Sequence, residues 1–194
     1  TPESGQIKKH GQVIQIKNPN DANRFGIGMV HQHFKLVDVF TVLDNILLGV
    51  EPMKGPFIDR SVAKKEIVAL SKQYKLAIDV DAKIEDISVG MQQRVEILKM
   101  LYRKNNILIF DEPTAVLTPQ ETEELIKILK SLKKEGKSIL FISHKLNEIM
   151  AVSDRVSVLR KGKSVGTLLT VDTNPQSLSN LMVGRDITFE VEKP

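Results

Sequence analysis

The chain has 194 residues and contains no cysteine. Disulfides and cysteine-ligated zinc are therefore excluded, and the absence agrees with a reducing compartment. The sequence also lacks any run of about 18 apolar residues, the length that a transmembrane helix needs. Its opening stretch, Thr1 to His10, is polar and does not resemble a signal peptide. From these features we expect a protein of the cytoplasm.

Tryptophan is absent as well, and only two tyrosines occur. Proteins that bind single-stranded nucleic acid combine stacking aromatic side chains with a concentrated basic surface. The formal net charge is +4, but the lysines lie mostly among the acids of predicted helices, as in Lys133-Lys134-Glu135. That pattern is typical of a solvated helix face, so we expect no nucleic-acid partner.

What the chain does have is an apolar run, Ile107 to Phe110, that ends in Asp111-Glu112-Pro113. The run predicts a strand buried on both faces of a parallel sheet. In open α/β sheets ligands bind beyond the carboxyl ends of the strands, so Asp111 and Glu112 are expected to face a crevice. A bend at Pro113 is needed to aim both acids there. Alone, the pattern also fits a buried strand followed by an acidic turn without chemistry.

Two further predicted strands end in polar side chains. Residues 26–32 form a short apolar strand that ends at Gln32, and residues 138–143 form a buried strand followed at once by His144. A helix with a capping box at Thr118 and Glu121 separates the second of these strands from the acidic pair. Strands that alternate with helices predict an α/β fold with a mainly parallel sheet, because parallel neighbours need crossover connections.

Residues 40 to 104 are predicted to be mainly helical. Thr41 caps a short helix that stops at Gly49, and residues 60–76 and 88–103 repeat apolar positions with helical spacing. Elsewhere, the opening residues predict a loop and one short strand. The predicted elements at the other end are a hairpin around Lys161-Gly162-Lys163 and a short helix over 175–183.

Several motifs occur in the order found in the nucleotide-binding domain of ATP-binding cassette (ABC) transporters, which the chain resembles. They are Gln32, Ser88-Val89-Gly90-Met91-Gln92-Gln93-Arg94, Asp111-Glu112, Ala115-Val116-Leu117-Thr118 and His144. They look like the Q-loop, the signature motif, the Walker B acids, the D-loop and the H-loop. Met29-Val30-His31-Gln32-His33-Phe34, the signature stretch and the Walker B stretch are particularly similar to the first half of tandem ATPases of simple-sugar and nucleoside importers. Met91 favours nucleosides.

The resemblance implies a role for each of four residues. Asp111 and Gln32 are expected to hold Mg²⁺, with ATP as the other cofactor. Glu112 is expected to polarise the water that attacks the γ-phosphorus, and His144 to contact the γ-phosphate. Without the resemblance, a histidine after a strand or a single glutamine is typical of a polar surface.

Ser88 and Gly90 lie at a predicted helix start, where free N–H groups and the helix dipole attract anions. By resemblance they bind a nucleotide held by the opposite ATPase half, although an ordinary Ser/Gly helix cap has the same sequence. Three positions depart from the family's usual residues. Val89 replaces a glycine and Met91 a glutamine of the signature motif, and Thr118 replaces the D-loop aspartate. The simple-sugar and nucleoside branch tolerates such changes.

The family's fold is a P-loop NTPase core with an inserted α-helical subdomain. It divides the chain into a partial ATPase core (1–39 and 105–173), a helical subdomain with the signature motif (40–104), and a C-terminal helix and linker (174–194). The core is called partial because no G-x-x-x-x-G-K-[ST] phosphate loop, the Walker A motif, occurs in the sequence. We therefore expect a chain truncated upstream that by itself binds Mg-ATP poorly and is inactive.

The implied function is ATP hydrolysis that energises import of a simple sugar or nucleoside. The implied partners are a second ATPase half, in tandem or as a dimer, transmembrane permease subunits and indirectly a solute-binding protein. The location is then the cytoplasmic face of the cell membrane. An alternative is a catalytically silent interaction module that binds a permease or a partner ATPase half. A soluble ABC protein of translation or DNA repair is disfavoured, since its characteristic insertions and nucleic-acid surfaces are not evident.

Overall fold

The computed structural model describes residues 3–32 and 34–184, and the chain divides into two compact units, Thr1–Ile142 and Ser143–Pro194. The first unit contains β1 (Ile7–Lys9), β2 (Gln12–Ile14), α1 (Pro19–Arg24), β3 (Ile27–Val30), α2 (Val42–Leu47), β4 (Met53–Lys54), β5 (Phe57–Ile58), α3 (Arg60–Gln73), a 3₁₀ turn (Ile84–Asp86), α4 (Val89–Tyr102), β6 (Ile107–Asp111), α5 (Pro119–Lys134) and β7 (Ser138–Ile142). The second contains α6 (Leu146–Val152), β8 (Arg155–Arg160), β9 (Lys163–Leu169), a 3₁₀ turn (Thr170–Asp172) and α7 (Pro175–Val183). His33, which belongs to the predicted Q-loop string, lies outside the described residues. So do residues 185–194, which belong to the predicted C-terminal helix and linker.

A parallel sheet of three strands in the order β3-β6-β7 organises the first unit. Val30 of β3 pairs with Phe110 of the central strand β6, which in turn pairs with Phe141 of β7. The helical residues between β3 and β6, and then α5, make the crossover connections that parallel neighbours require. The predicted α/β fold with a parallel sheet is thus confirmed.

Burial of this sheet is one-sided, so the prediction of strands buried on both faces is wrong. Leu108 and Phe110 of β6 have no exposed surface, whereas Leu140 and Ile142 of β7 are 54% and 48% exposed. Ile109 pairs with Leu140 and therefore lies on the exposed face, opposite to Phe110. Apolar composition alone cannot separate a strand covered on one face from a strand covered on both.

The predicted helices between β3 and β6 are present and pack together. Helices α2 and α3 contact α4 and each other, and α4 also contacts β3. The side chain of Thr41 accepts a hydrogen bond of 3.1 Å from the Asp44 backbone N–H, as the predicted cap requires. The apolar side chains fully buried in this region include Val42, Ile46, Ala63, Ile67, Leu76 and Ile84. That residues 40–104 act as a separate subdomain stays a prediction.

Short elements account for the other differences from the predicted secondary structure. The opening residues form a hairpin of β1 and β2 instead of one strand, and His10 and Gly11 take left-handed conformations at its turn. A second small hairpin, β4 and β5, occupies a stretch expected to be a loop. Helix α1, capped by Asn18, was not expected, because six residues are too few to show a helical period.

The second unit contains the predicted hairpin and the predicted terminal helix. Strands β8 and β9 pair in antiparallel fashion, with Lys161 and Gly162 left-handed between them. Helix α7 is capped by Asn174 and ends at Gly184, whose φ of 89° gives the left-handed C-terminal cap that glycine favours. Helix α6 was not expected. No helix in residues 3–32 and 34–184 combines the length and apolar character needed to cross a membrane.

Candidate functional site

The acidic pair lies at the carboxyl end of the central strand, where the sequence predicted a site. Asp111 is the last residue of β6 and is half-buried. Glu112 follows with a φ of 48°, and its backbone N–H donates to the Ile142 carbonyl over 2.9 Å. The chain therefore turns through a left-handed Glu112, one residue before the bend expected at Pro113. A left-handed conformation is uncommon for a residue other than glycine, and such residues cluster at functional sites.

Gln32 stands at the same edge of the sheet as the acidic pair. The last registered pair between β3 and β6 is Val30 with Phe110. Gln32 and Glu112 each lie two residues farther along their chains, beyond the carboxyl ends of two neighbouring parallel strands. The Gln32 side chain is exposed, so it is accessible to a ligand at this edge.

The predicted helix start at Ser88 is present. Ser88 is the N-cap of α4, and its side-chain oxygen accepts a hydrogen bond of 3.3 Å from the Met91 backbone N–H. Ser88 is exposed, whereas Gly90 in the first turn is buried. The cap uses the Met91 N–H, whereas the N–H groups of Val89 and Gly90 in the same first turn have no partner within the helix.

A residue without a predicted role, Gln93, connects α4 to the acidic turn. Its side chain is only 2% exposed, and its Nε2 atom donates to the Pro113 carbonyl over 2.8 Å. The signal in the sequence is a polar residue four positions before Ile97, on the buried side of an otherwise apolar helix. That signal marks a buried amide but does not say which backbone group satisfies it.

Helices α4 and α5 are joined a second time beside this turn. Thr118 caps α5 in the predicted capping box, because its side-chain oxygen accepts a hydrogen bond of 3.3 Å from the Glu121 backbone N–H. In return, Glu121 Oε2 accepts hydrogen bonds from the Thr118 N–H at 3.0 Å and hydroxyl at 2.9 Å. These bonds, the backbone one first, lower the pKa of Glu121. An ion pair between Arg94 and Glu124, with 2.5 Å between Nη2 and Oε2, links the two helices directly. Gly90 lies close to Glu121 of α5, because a Cβ atom added at Gly90 would clash with the Glu121 carboxylate.

His144 belongs to the second unit and is exposed. In the chain it follows β7 by two residues and precedes α6. The Lys145 backbone N–H beside it donates to the Ser143 hydroxyl over 3.0 Å, which fixes the local turn. The predicted γ-phosphate role of His144 stays a prediction.

Comparison with known proteins gives the family. The family model described as "ABC transporter" matches residues 1–115 of this chain. The chain belongs to the ABC transporter family. The resemblance recognised in the motifs is thereby confirmed.

Two curated relatives of this ABC chain are import ATP-binding proteins. The guanosine import ATP-binding protein NupO of Bacillus subtilis (strain 168) is 59% identical over 192 residues, which cover 99% of this chain and 38% of that protein. The nucleoside import ATP-binding protein NupA of Lactococcus lactis subsp. cremoris (strain MG1363) is 56% identical with the same coverage. The chain thus spans well under half the length of these relatives.

A solved structure also resembles the fold of this ABC chain. A nucleotide-free ATP-binding cassette from an ABC transporter superposes with a TM-score of 0.76, covering 93% of this chain and 74% of that one at 22% identity. At that identity the likeness concerns the fold, and it agrees with the P-loop NTPase type of core.

The side chains at the sheet edge of this ABC chain include oxygen donors of the type that Mg²⁺ accepts. Among the described residues no cluster of three or more His, Cys, Asp or Glu side chains could hold a metal ion. Mg²⁺ keeps several waters and is usually held by one or two carboxylates together with substrate phosphates. The Asp111 carboxylate and the Gln32 amide oxygen are donors of this sparse kind.

Proposed function

We propose that this chain is the ATP-binding and hydrolysing part of an importer for a nucleoside or a simple sugar. The observation that carries the proposal is the position of Asp111 and Glu112 at the carboxyl end of the central parallel strand, where open α/β sheets bind ligands. The names of the two relatives, both import ATP-binding proteins, support the transport role and favour a nucleoside.

In the proposed reaction ATP and water give ADP and phosphate. Asp111 and Gln32 hold Mg²⁺, which neutralises charge on the β- and γ-phosphates when it is bound. Glu112 orients the attacking water and accepts its proton. His144 donates a hydrogen bond to the γ-phosphate. Since phosphoryl transfer requires positioning more than covalent chemistry, the rigidity of the turn at Glu112 matters directly.

Ser88 and Gly90 serve a different nucleotide, bound by a second ATPase half. The N-terminus of α4, capped by the exposed Ser88, supports this role because N–H groups at a helix start can donate hydrogen bonds to phosphate oxygens. The other proposed partners are transmembrane permease subunits and, through them, a solute-binding protein. The proposed location is accordingly the cytoplasmic face of the membrane.

The domain division is part of the same proposal. Residues 1–39 and 105–173 form the ATPase core, residues 40–104 form the helical subdomain that carries the signature motif, and residues 174–194 form a C-terminal helix and linker. The packing of α2, α3 and α4 on one another supports the helical subdomain.

The function is tested by Glu112→Gln in the complete gene product. The substitution keeps the size of the side chain but removes the base, so ATP turnover should collapse while ATP binding survives. Uptake of labelled nucleosides and sugars in cells that carry either form identifies the solute class. Near-normal turnover and uptake in the variant would favour the alternative of a silent interaction module.

A finer proposal concerns the 194 residues by themselves. Because the G-x-x-x-x-G-K-[ST] loop that grips phosphates does not occur in this sequence, the chain alone should bind Mg-ATP weakly and not turn it over. Calorimetric titration of the purified chain with Mg-ATP tests this directly. Micromolar binding would show that the remaining groups suffice to hold the nucleotide.

A further inference from the structure

Gln93 occupies a position that packing alone does not explain. Its amide is almost completely buried in α4, where an apolar side chain of similar size would avoid the cost of removing a polar group from water. The amide is retained beside one specific acceptor, the Pro113 carbonyl, at 2.8 Å. Proline has no backbone N–H, so this carbonyl is its one main-chain hydrogen-bonding group.

The turn that Gln93 holds is the one that aims Glu112. Glu112 has a left-handed backbone, which costs a residue other than glycine free energy and persists only where the surroundings impose it. On the strand side the Glu112 N–H is held by the Ile142 carbonyl at 2.9 Å. On the helix side the Pro113–Thr114 peptide is held by Gln93 through the Pro113 carbonyl. The two bonds therefore grip the turn from both sides of the acid.

Helix α4 contains both Gln93 and the residues of the signature motif at its N-terminus. Gln93 lies three residues after Gly90 and five after Ser88, in one continuous helix of 14 residues. The Gln93 amide and the Ser88 cap therefore belong to the same helix and are separated by little more than one helical turn.

We infer that Gln93 is a positioning residue, which holds the Glu112 turn in its hydrolytic geometry. The inference rests on the proposed function of Glu112. It does not make Gln93 a catalytic residue, because Gln93 acts through the backbone of Pro113 and not on ATP.

The test is Gln93→Met in the complete gene product, since methionine has a similar length but no donor. A displaced Glu112 should lower kcat for ATP hydrolysis by roughly 10- to 100-fold, because small misplacements of a reacting group have effects of that size. The KM for ATP should stay the same. The solvent deuterium isotope effect on kcat should increase, because proton transfer from water becomes rate-limiting.

Ser71→Ala is the matched control for loss of a buried hydrogen bond. Ser71 in α3 is 7% exposed and donates from Oγ to the Leu76 carbonyl over 2.8 Å, away from the motifs of the proposed site. It should lower the unfolding midpoint but leave kcat and the isotope effect as they are. If Gln93→Met fails to fold, Gln93→Asn keeps a buried amide but is one methylene too short to reach Pro113, and the same losses are expected.

Two outcomes separate the inference from the function on which it rests. Suppose that Glu112→Gln abolishes turnover, but Gln93→Met and Gln93→Asn leave kcat and the isotope effect unchanged, as Ser71→Ala does. The positioning role of Gln93 is then wrong, whereas the role of Glu112 as the base is retained. A rise in KM with kcat unchanged contradicts it equally. If Glu112→Gln retains turnover, the proposed function itself is wrong.

Discussion

A Cβ atom placed on Gly90 would lie 2.2 Å from Oε1 of Glu121. Gly90 belongs to the first turn of α4 and Glu121 to the capping box of α5, so the absence of a side chain at Gly90 allows two helix starts to approach each other. The Glu121 carboxylate is not free to move away, because its other oxygen accepts both hydrogen bonds from Thr118.

The contact predicts that Gly90→Ala loses the capping box at a cost of about 1 kcal/mol, which offsets or slightly exceeds the gain from a better helix former. The added methyl group displaces Glu121 and breaks the capping box. In a background of Glu121→Ala the obstacle is absent, and Gly90→Ala should then be stabilising by roughly 0.5–1 kcal/mol, since alanine is the better helix former.

Denaturant unfolding of the two single variants and the double variant measures this coupling. The prediction requires Gly90→Ala to be more favourable by about 1 kcal/mol in the Glu121→Ala background than in the wild-type background. If Gly90→Ala has the same effect with and without Glu121, the contact does not restrict this position.

Tyr74 connects the end of α3 with the end of α5. From its hydrogen bond we expect the protein to lose stability at alkaline pH. Its hydroxyl donates to Glu135 Oε2 over 2.6 Å. Burial, and then this carboxylate, raise the pKa of Tyr74 from 10.0 to about 12. An acid whose pKa is raised on folding is stabilised in its neutral form. The contribution is therefore complete below pH 10.0 and is lost as the pH rises through about 12.

Comparison with Tyr74→Phe isolates this effect from the titration of lysines in the same range. The free energies of unfolding of the two proteins should differ at neutral pH by the value of one hydrogen bond, about 1 kcal/mol. The difference should shrink as the pH rises from 10.0 toward about 12. A difference that stays constant over that interval would contradict the raised pKa of Tyr74.

The helix starts could be predicted from sequence because their determinants are local. Thr41, Ser88 and Thr118 each cap the backbone N–H three residues later, and the spacing that makes this possible is visible in the chain itself. The parallel order of the strands followed from their alternation with helices. These parts of the fold depend on near neighbours and on general rules of connection.

The parts that could not be predicted depend on residues distant in sequence. The exposure of Leu140 and Ile142 is set by what covers each face of the sheet, which an apolar run does not encode. The hydrogen bond from Gln93 spans 20 residues to Pro113. The place of Asp111 and Glu112 at a strand end can be predicted from sequence, whereas this hydrogen bond cannot, because a buried amide in a helix has many possible acceptors.

The surroundings of Asp44 lead us to expect that the free energy of unfolding falls at acidic pH. Its carboxylate accepts a hydrogen bond from the Arg60 guanidinium and another from the Thr41 hydroxyl at 2.7 Å. Arg60 first, and then Thr41, lower the pKa of Asp44 below 3.8 against the opposing effect of burial. An acid whose pKa is lowered on folding stabilises the protein above its unfolded pKa, and the contribution is lost as the pH falls through the folded value.

Acid unfolding of wild type and Asp44→Asn checks this. The asparagine variant should be less stable at neutral pH, and the two proteins should converge as the pH drops below 3.8. Arg60→Met serves as the partner control and should remove most of the same pH dependence. A wild-type curve parallel to that of Asp44→Asn through this range would contradict the assignment.

The left-handed Glu112 predicts a reversal of the usual order of two substitutions. Glycine normally destabilises a protein relative to alanine, because its unfolded chain has more freedom. At a φ of 48° alanine keeps the steric cost of the left-handed region, about 1–2 kcal/mol, and glycine does not. Glu112→Gly should therefore be more stable than Glu112→Ala by about 1 kcal/mol.

Thermal and denaturant unfolding measure this difference in stability. Asp111→Gly and Asp111→Ala are the matched pair on the extended strand, where the alanine variant should be the more stable. If alanine is also the more stable at Glu112, the turn is not held in the left-handed conformation, and the need for Gln93 to support it disappears.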